Sequence, residues 1–285
     1  MEKLLPERLK DFWQSVERHE HSREDYTREY DRALAEHRQT WERALILPGH
    51  DDLRESLSAE VASYTQCSDL AEVRRRCERA VANLKREWEN KVHSDNRQSI
   101  EQFYDESPAM LHELMWWHSL ADDLSPLAYV LALRFAQRHG CKSNLDFGSG
   151  VGAGALLFVA HGLQTTLADI SSAALRFSAW RLGLRKLPAA YIDLKRYQIP
   201  SECFDFITAM DVFEHLSDPV EAVEKLWNSL KPGGFLYGRI SAEADEDRPQ
   251  HIVHDFQPTF ERMVSFACCA CRSRFRRMRL RLCAI

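Results

Sequence analysis

Asn144-Leu145-Asp146-Phe147-Gly148-Ser149-Gly150-Val151-Gly152-Ala153-Gly154 is the stretch on which the reading of this chain turns. A short apolar run ends at Asp146-Phe147, and glycine then stands at every second position, Gly148, Gly150, Gly152 and Gly154. The uninterrupted apolar run Ala155–Ala160 behind it reads as a helix. Strand, glycine loop and helix in that order make a nucleotide-binding turn. Glycine allows backbone angles closed to other residues and lets the main chain approach a ligand. The helix start offers unpaired N–H groups to polar ligand atoms.

The loop alone leaves the ligand open. Gly148, Gly150 and Ala153 satisfy the dinucleotide spacing G-x-G-x-x-G/A, which keeps a nicotinamide oxidoreductase in play. No Lys-Ser/Thr follows, so a P-loop is excluded. The residues downstream decide. Leu167-Ala168-Asp169-Ile170-Ser171 reads as a second strand ending in an acid, which can accept hydrogen bonds from both hydroxyls of a ribose. Ala190–Leu194 reads as a third strand, with Asp193 at its end. Phe204–Asp211 reads as a fourth, followed by Val212-Phe213-Glu214-His215-Leu216. Leu230-Lys231-Pro232-Gly233-Gly234 reads as a turn into a fifth, Phe235–Ile240.

This series, over about residues 125–260, resembles the class I S-adenosylmethionine-dependent methyltransferases in the order and intervals of four motifs: D-F-G-S-G-V-G, A-D-I-S, F-D-F-I with D-V-F-E-H-L, and L-K-P-G-G. The resemblance implies an α/β fold, a Rossmann-like sheet covered by helices on both faces. It also implies S-adenosyl-L-methionine as cofactor and methyl transfer to oxygen or nitrogen of a small-molecule acceptor. The cofactor residues it implies are Asp146, Gly148, Ser149, Gly150 and Gly152 along the methionine and ribose portion, and Asp169 with Ile170 at the ribose. Asp193 and Leu194 would serve the adenine, and Asp211 the far wall. A base is needed only if the acceptor loses a proton on attack, and His215, His251 and His254 are the candidates. Asp211, Glu214 and His215 also stand at i, i+3 and i+4, and with a histidine from 251–254 they would suit a divalent metal. That pattern is similar to the E-x-x-E-H of small-RNA 2′-O-methyltransferases and some quinone-biosynthesis O-methyltransferases, with Asp in place of the first Glu. No metal is part of the leading reading. A methyltransferase fold kept as a binding scaffold without turnover is the rival from another class.

The rest of the chain sets the frame. A hydrophobic fraction of 45% and a charged fraction of 28% over 285 residues describe a protein able to bury a large core. A net charge of −5 supplies no global basic field for nucleic acid. No apolar run approaches the ~20 residues of a membrane span, and eight irregularly placed cysteines fit reduced thiols in the cytoplasm. Residues 1–106 carry narrow helical stripes, Leu5-Leu9-Phe12-Val16, Tyr26-Tyr30-Leu34-Trp41-Leu45 and Leu53-Leu57-Val61. Ser68 is placed to cap one further helix through Trp88. Such helices need a partner surface, and the expectation is an all-helical region, 1–106, that covers the domain 107–285, acts as a lid, or forms a homodimer arm. Its removal is expected to spare cofactor binding. Tyr104, Trp116, Trp117 and His118 are candidates for the site wall or its core. After Ala267 the composition breaks sharply, with six arginines and four cysteines in Cys268–Ile285. The cysteines lack zinc spacing. Met278, Leu280 and Leu282 alternate with arginine and allow one half-buried strand, where the resembled family would close its sheet with a sixth and an antiparallel seventh.

Overall fold

A computed structural model of the chain describes residues 7–93, 96–241, 246–253, 255–272 and 281–284. Its centre is a six-stranded sheet in the order β3-β2-β1-β4-β5-β6, every neighbouring pair parallel. The strands are β1 (Ser143–Phe147), β2 (Gln164–Asp169), β3 (Ala190–Asp193), β4 (Phe204–Met210), β5 (Leu230–Ile240) and β6 (Arg281–Ala284). The strand order reverses between β1 and β4, and the crevice beyond their carboxyl ends is where an open α/β sheet accepts ligands.

Both faces of the sheet are covered, as expected. The period-two geometry of a strand assigns each residue to one of two cores. In β4, Phe206 and Met210 join a core with Leu167, while Ile207 and Ala209 join another with Leu145 and Leu236. The first core is built with α8 (Ala128–Arg138), α9 (Ala153–Ala160) and α10 (Ser172–Leu184). The second is built with α11 (Pro219–Ser229) and α12 (Gln257–Arg272), where Trp227 stacks on Phe266.

Among the described residues, seven helices precede α8: α1 (Glu7–Glu17), α2 (Arg23–Leu45), α3 (Leu53–Thr65), α4 (Leu70–Glu78), α5 (Ala80–Lys91), α6 (Arg97–Glu106) and α7 (Pro108–His118). Their starts follow local chemistry. Ser22 and Asp25 form a reciprocal capping box, and Ser107 caps α7 ahead of Pro108. The cap of α4 is Asp69 and not Ser68; its carboxylate accepts from the Glu72 amide at 3.1 Å. The single helix expected through Trp88 is two helices, broken at Arg79. L-K-P-G-G, expected as a turn, lies within β5 as an irregularity: Leu230 pairs with Phe204, and the register then jumps so that Phe235 pairs with Phe206. At the β5 edge, Leu282 does fall in a strand, parallel to β5; Met278 and Leu280 lie outside the described residues.

The helical region and the sheet share one core. Trp41, Leu45, Leu57, Val61 and Met115 pack in the same cluster as Leu133, Phe158, Leu167 and Phe177. Fully burying a large apolar side chain contributes roughly 1.5–3 kcal/mol, so Trp41, Leu45, Leu57 and Val61 together contribute an amount comparable to the whole net stability of a typical domain, about 5–15 kcal/mol. A chain beginning at residue 101 is therefore expected to lose cooperative folding, against the expectation that it would keep cofactor binding. Circular dichroism during urea titration checks this: a sharp two-state transition in the truncated chain would show two separable units.

Candidate active site

The loops beyond the strand ends enclose a cavity of about 990 Å³. The glycine loop contributes Gly148, Ser149 and Gly150 to its wall, the β2 end Asp169 and Ile170, and the β3 end Leu194. Asp211, Glu214 and His215 enter from beyond β4, Arg239 from β5, and Gln250 and His251 from the segment after β5. Tyr104, Glu113, Trp117 and His118 close it from the helical side; Trp116 does not reach it.

Two glycines earn their place by geometry. Gly148 has φ +68°, and a Cβ there would stand 2.4 Å from Val212 Cγ2. Gly150 has φ +50°, and a Cβ would stand 3.1 Å from Leu114. Either change would strain the backbone and push on the cavity wall. The amides of Gly148 and Ser149 both donate to the Ala168 carbonyl, 2.8 and 3.2 Å, which folds the loop back over β2. Asp169 completes the anchor. Its Oδ2 accepts from the Gly150 amide at 2.7 Å and its Oδ1 from the Ser171 amide at 2.8 Å. Burial raises its pKa against these bonds. Each oxygen retains a lone pair for a ligand hydroxyl.

Three residues expected at the cofactor do not line the cavity. Asp146 is wholly buried beneath the loop, where Thr208 donates to its Oδ1 at 2.9 Å. Gly152 packs against helix α10, its absent Cβ replaced by Ser178 at 2.9 Å. Asp193 is engaged by its own surroundings: Ser172 Oγ at 2.7 Å, the Lys195 amide at 3.1 Å, and Arg196 at 3.6 Å. It caps a turn and holds the Ser172 hydroxyl in the first turn of α10, leaving Leu194 as that strand's contribution. His254 lies outside the described residues.

The wall supplied from beyond β4 and β5 is rich in buried polar groups. Asp211 adopts φ +53° and receives Arg239 Nη1 at 2.7 Å. Glu214 is fully buried in a 3-10 turn, Phe213–His215, with Oε1 bonded to the Ser241 amide at 3.0 Å and Oε2 without a partner among the described residues. Burial raises the pKa of both acids, and the Asp211 charge raises Glu214 further. His215 Nδ1 lies 3.0 Å from the Gln250 carbonyl, so it donates there and leaves Nε2 as the acceptor nitrogen. Burial, with His251 and Arg248 nearby, lowers the His215 pKa to about 3. The His215 and His251 rings are 4.8 Å apart. Tyr104 sets its ring 6.3 Å from His215, and its buried hydroxyl has no partner among the described residues.

Sequence reasoning did not single out Arg239, Glu113 or Arg248. Arg239 had a signal, an arginine inside the apolar strand F-L-Y-G-R-I, which implies a buried acid nearby. The 2.9 Å bond from Arg248 to buried Glu113, across 135 residues, had none.

Asp146 gives the site a pH signature. Burial pushes its pKa up to about 7, against the Thr208 bond. The native state therefore holds a proton there that the unfolded chain has already released above pH ~5. By linkage, stability falls as pH rises through the native value. Buried His215 and His118, both lowered to about 3, act in the opposite sense only below the free-histidine range, so the window from pH 6.5 to 8.5 belongs to the carboxyls. Urea midpoints are expected to fall across that window, Glu214, raised to about 8, contributing beside Asp146, and Asp146→Asn to lessen the fall in its lower half. An unchanged slope in the variant would assign the proton elsewhere.

Residues 145–236 match a protein-family model described as a methyltransferase domain. The chain is 31% identical over 135 residues to the ubiquinone biosynthesis O-methyltransferase of Albidiferax ferrireducens, covering 43% of this chain and 52% of that one. It is 28% identical over 130 residues to the protein of the same name from Chromobacterium violaceum, covering 43% and 56%. The chain thus spans about half the length of the curated relatives it matches. Among solved structures, Haemonchus contortus phosphoethanolamine N-methyltransferase 2 in complex with S-adenosyl-L-methionine is similar at 21% identity. That match covers 48% of this chain and 36% of that one, with a TM-score of 0.40.

Proposed function

Starting from a chain whose residues 145–236 carry a methyltransferase domain, we propose that it transfers the methyl group of S-adenosyl-L-methionine to an oxygen or nitrogen of a small-molecule acceptor. One observation carries the reading. One cavity is lined both by the Asp169-anchored glycine loop and by His215 and His251. Cofactor and acceptor can therefore meet in it. The sulfonium already activates the methyl group, so the protein's task is alignment and exclusion of water, and alignment supplies on the order of 7–11 kcal/mol. Asp169 holds the ribose end, Ile170 and Leu194 flank the base, and Gly148 to Gly150 lie along the remainder. His215, oriented by Gln250, presents Nε2 toward an acceptor proton. The helical region, 1–106, covers the domain 107–285 and closes the acceptor end through Tyr104. Among the described residues no helix is long and apolar enough to cross a membrane; the proposed place of work is the cytoplasm.

A second reading adds a metal at the same end. Donor atoms of Glu214, His215 and His251 lie within 4.8 Å of one another, a carboxylate with two imidazoles, and Glu214 Oε2 is an acceptor without a partner among the described residues. The residues fit a divalent cation, which would supply Lewis acidity toward an acceptor hydroxyl. His251 is the histidine of the expected 251–254 segment, and Asp211 drops out of the expected set because it is paired with Arg239.

Calorimetric titration with S-adenosylhomocysteine tests the cofactor. Labelled S-adenosylmethionine with a metabolite extract then tests transfer. Binding in the micromolar range and an enzyme-dependent labelled product are expected. A folded protein that binds nothing at millimolar ligand sinks the proposal, and binding without any product leaves the scaffold reading standing. Activity lost to a chelator and restored by a divalent ion selects the metal form.

A further inference from the structure

Helix α10 presents Ser178, Arg181 and Arg185 on one face, spaced by three and four. Two of them grip consecutive carbonyls of the glycine loop. Ser178 Oγ donates to the Gly150 carbonyl at 2.8 Å, and Arg181 Nη1 to the Val151 carbonyl at 2.8 Å. Arg181 is wholly buried, and a buried guanidinium persists only with a carboxylate beside it. That carboxylate comes from the helical region. Glu60 of α3, also wholly buried, accepts from Arg181 Nε at 2.7 Å and Nη2 at 3.3 Å. Arg185 adds Nη2 at 2.8 Å and Nη1 at 3.1 Å, and also donates to the Leu45 carbonyl at the end of α2.

The guanidinium is a rigid plane with donors in fixed directions. Glu60 holds one edge of it, and this orients the remaining nitrogen, Nη1, at Val151. Burial opposes the charge of Glu60, but the Arg181 and Arg185 guanidiniums outweigh it and hold its carboxyl below the usual range. The ion pair is therefore intact at neutral pH.

We infer that Glu60 is a positioning residue for the cofactor loop: acting through Arg181, it sets the Gly150–Val151 backbone from behind, without touching ligand. The inference rests on the proposed cofactor site. It crosses the division that a sequence reading draws between helices that serve the acceptor and a domain that serves the cofactor.

Glu60→Gln in the full chain keeps the volume and removes the charge. It is expected to weaken S-adenosylhomocysteine binding tenfold or more, measured by calorimetry well below its melting transition, and to speed hydrogen exchange at residues 151–155. A Glu60 with only a structural role would lower Tm and leave that affinity alone. Ser178→Ala removes the other carbonyl contact at small cost in packing, and a severalfold loss of affinity is expected. It decides the matter if Glu60→Gln does not fold. A parent that binds while the folded variants bind equally well overturns the inference alone. A parent that binds no S-adenosylhomocysteine removes the cofactor reading, and this inference with it.

Discussion

Asp169→Asn is expected to weaken S-adenosylhomocysteine binding by at least a hundredfold while the protein still unfolds in one step. The two oxygens of Asp169 accept from different amides, Gly150 and Ser171. Asparagine can satisfy one and must turn its own NH₂ toward the other, donor against donor. A hydrogen bond to a charged group contributes roughly 1.5–3 kcal/mol, and about 2.7 kcal/mol is a hundredfold in affinity. The loop would lose the link that places Gly150, and a ribose would lose its charged acceptor. The amides of Gly148 and Ser149 keep their bonds to the Ala168 carbonyl, so the fold survives. Calorimetry with the variant reads the effect directly, and a change of less than threefold would refute the role of Asp169.

That acid was legible in the sequence because its role is local: a strand end followed by a serine cap needs only neighbours in the chain. The strands were legible for the same reason: in β2 and β4 the apolar residues alternate between two cores that the sheet keeps apart. Asp193 shows where local reading fails. It looks the same as Asp169 in sequence, yet Ser172 from the preceding helix occupies it. Glu60 and Arg181, 121 residues apart, meet only because α3 lies against α10, and nothing in either helix alone names the partner. The arginine at 181 did break the pattern of an apolar stripe, which is a signal that a partner exists but not which one.

His251→Ala is expected to lower turnover at least a hundredfold while S-adenosylhomocysteine affinity stays within twofold. The imidazole lines the same cavity as the glycine loop, 4.8 Å between ring centres from His215 and beside buried Glu214. General acid–base groups contribute about 10²–10⁴-fold, and a lost ligand costs at least as much where a metal is used. The two roles separate under chelation. If the parent loses activity to a chelator and regains it with a divalent ion, the variant should need far more of that ion. If the parent ignores the chelator, the variant should instead show an altered pH profile. A fall in cofactor affinity equal to the fall in turnover would place His251 at the cofactor instead of the acceptor.

Helix α6 does more than roof the site. Its Tyr104 carbonyl takes the Ser171 hydroxyl at 2.8 Å, and its Asp105 pairs with Lys195 and accepts from the Ala173 amide at 3.4 Å. These bonds join the roof to the ends of β2 and β3, the same ends that would hold ribose and base. Under the proposed function, a nucleoside held at those strand ends would lie beneath these bonds, and release past helix α6 would require it to let go of Ser171 and Lys195. Turnover by that route would include one such lifting of a short helix in each cycle.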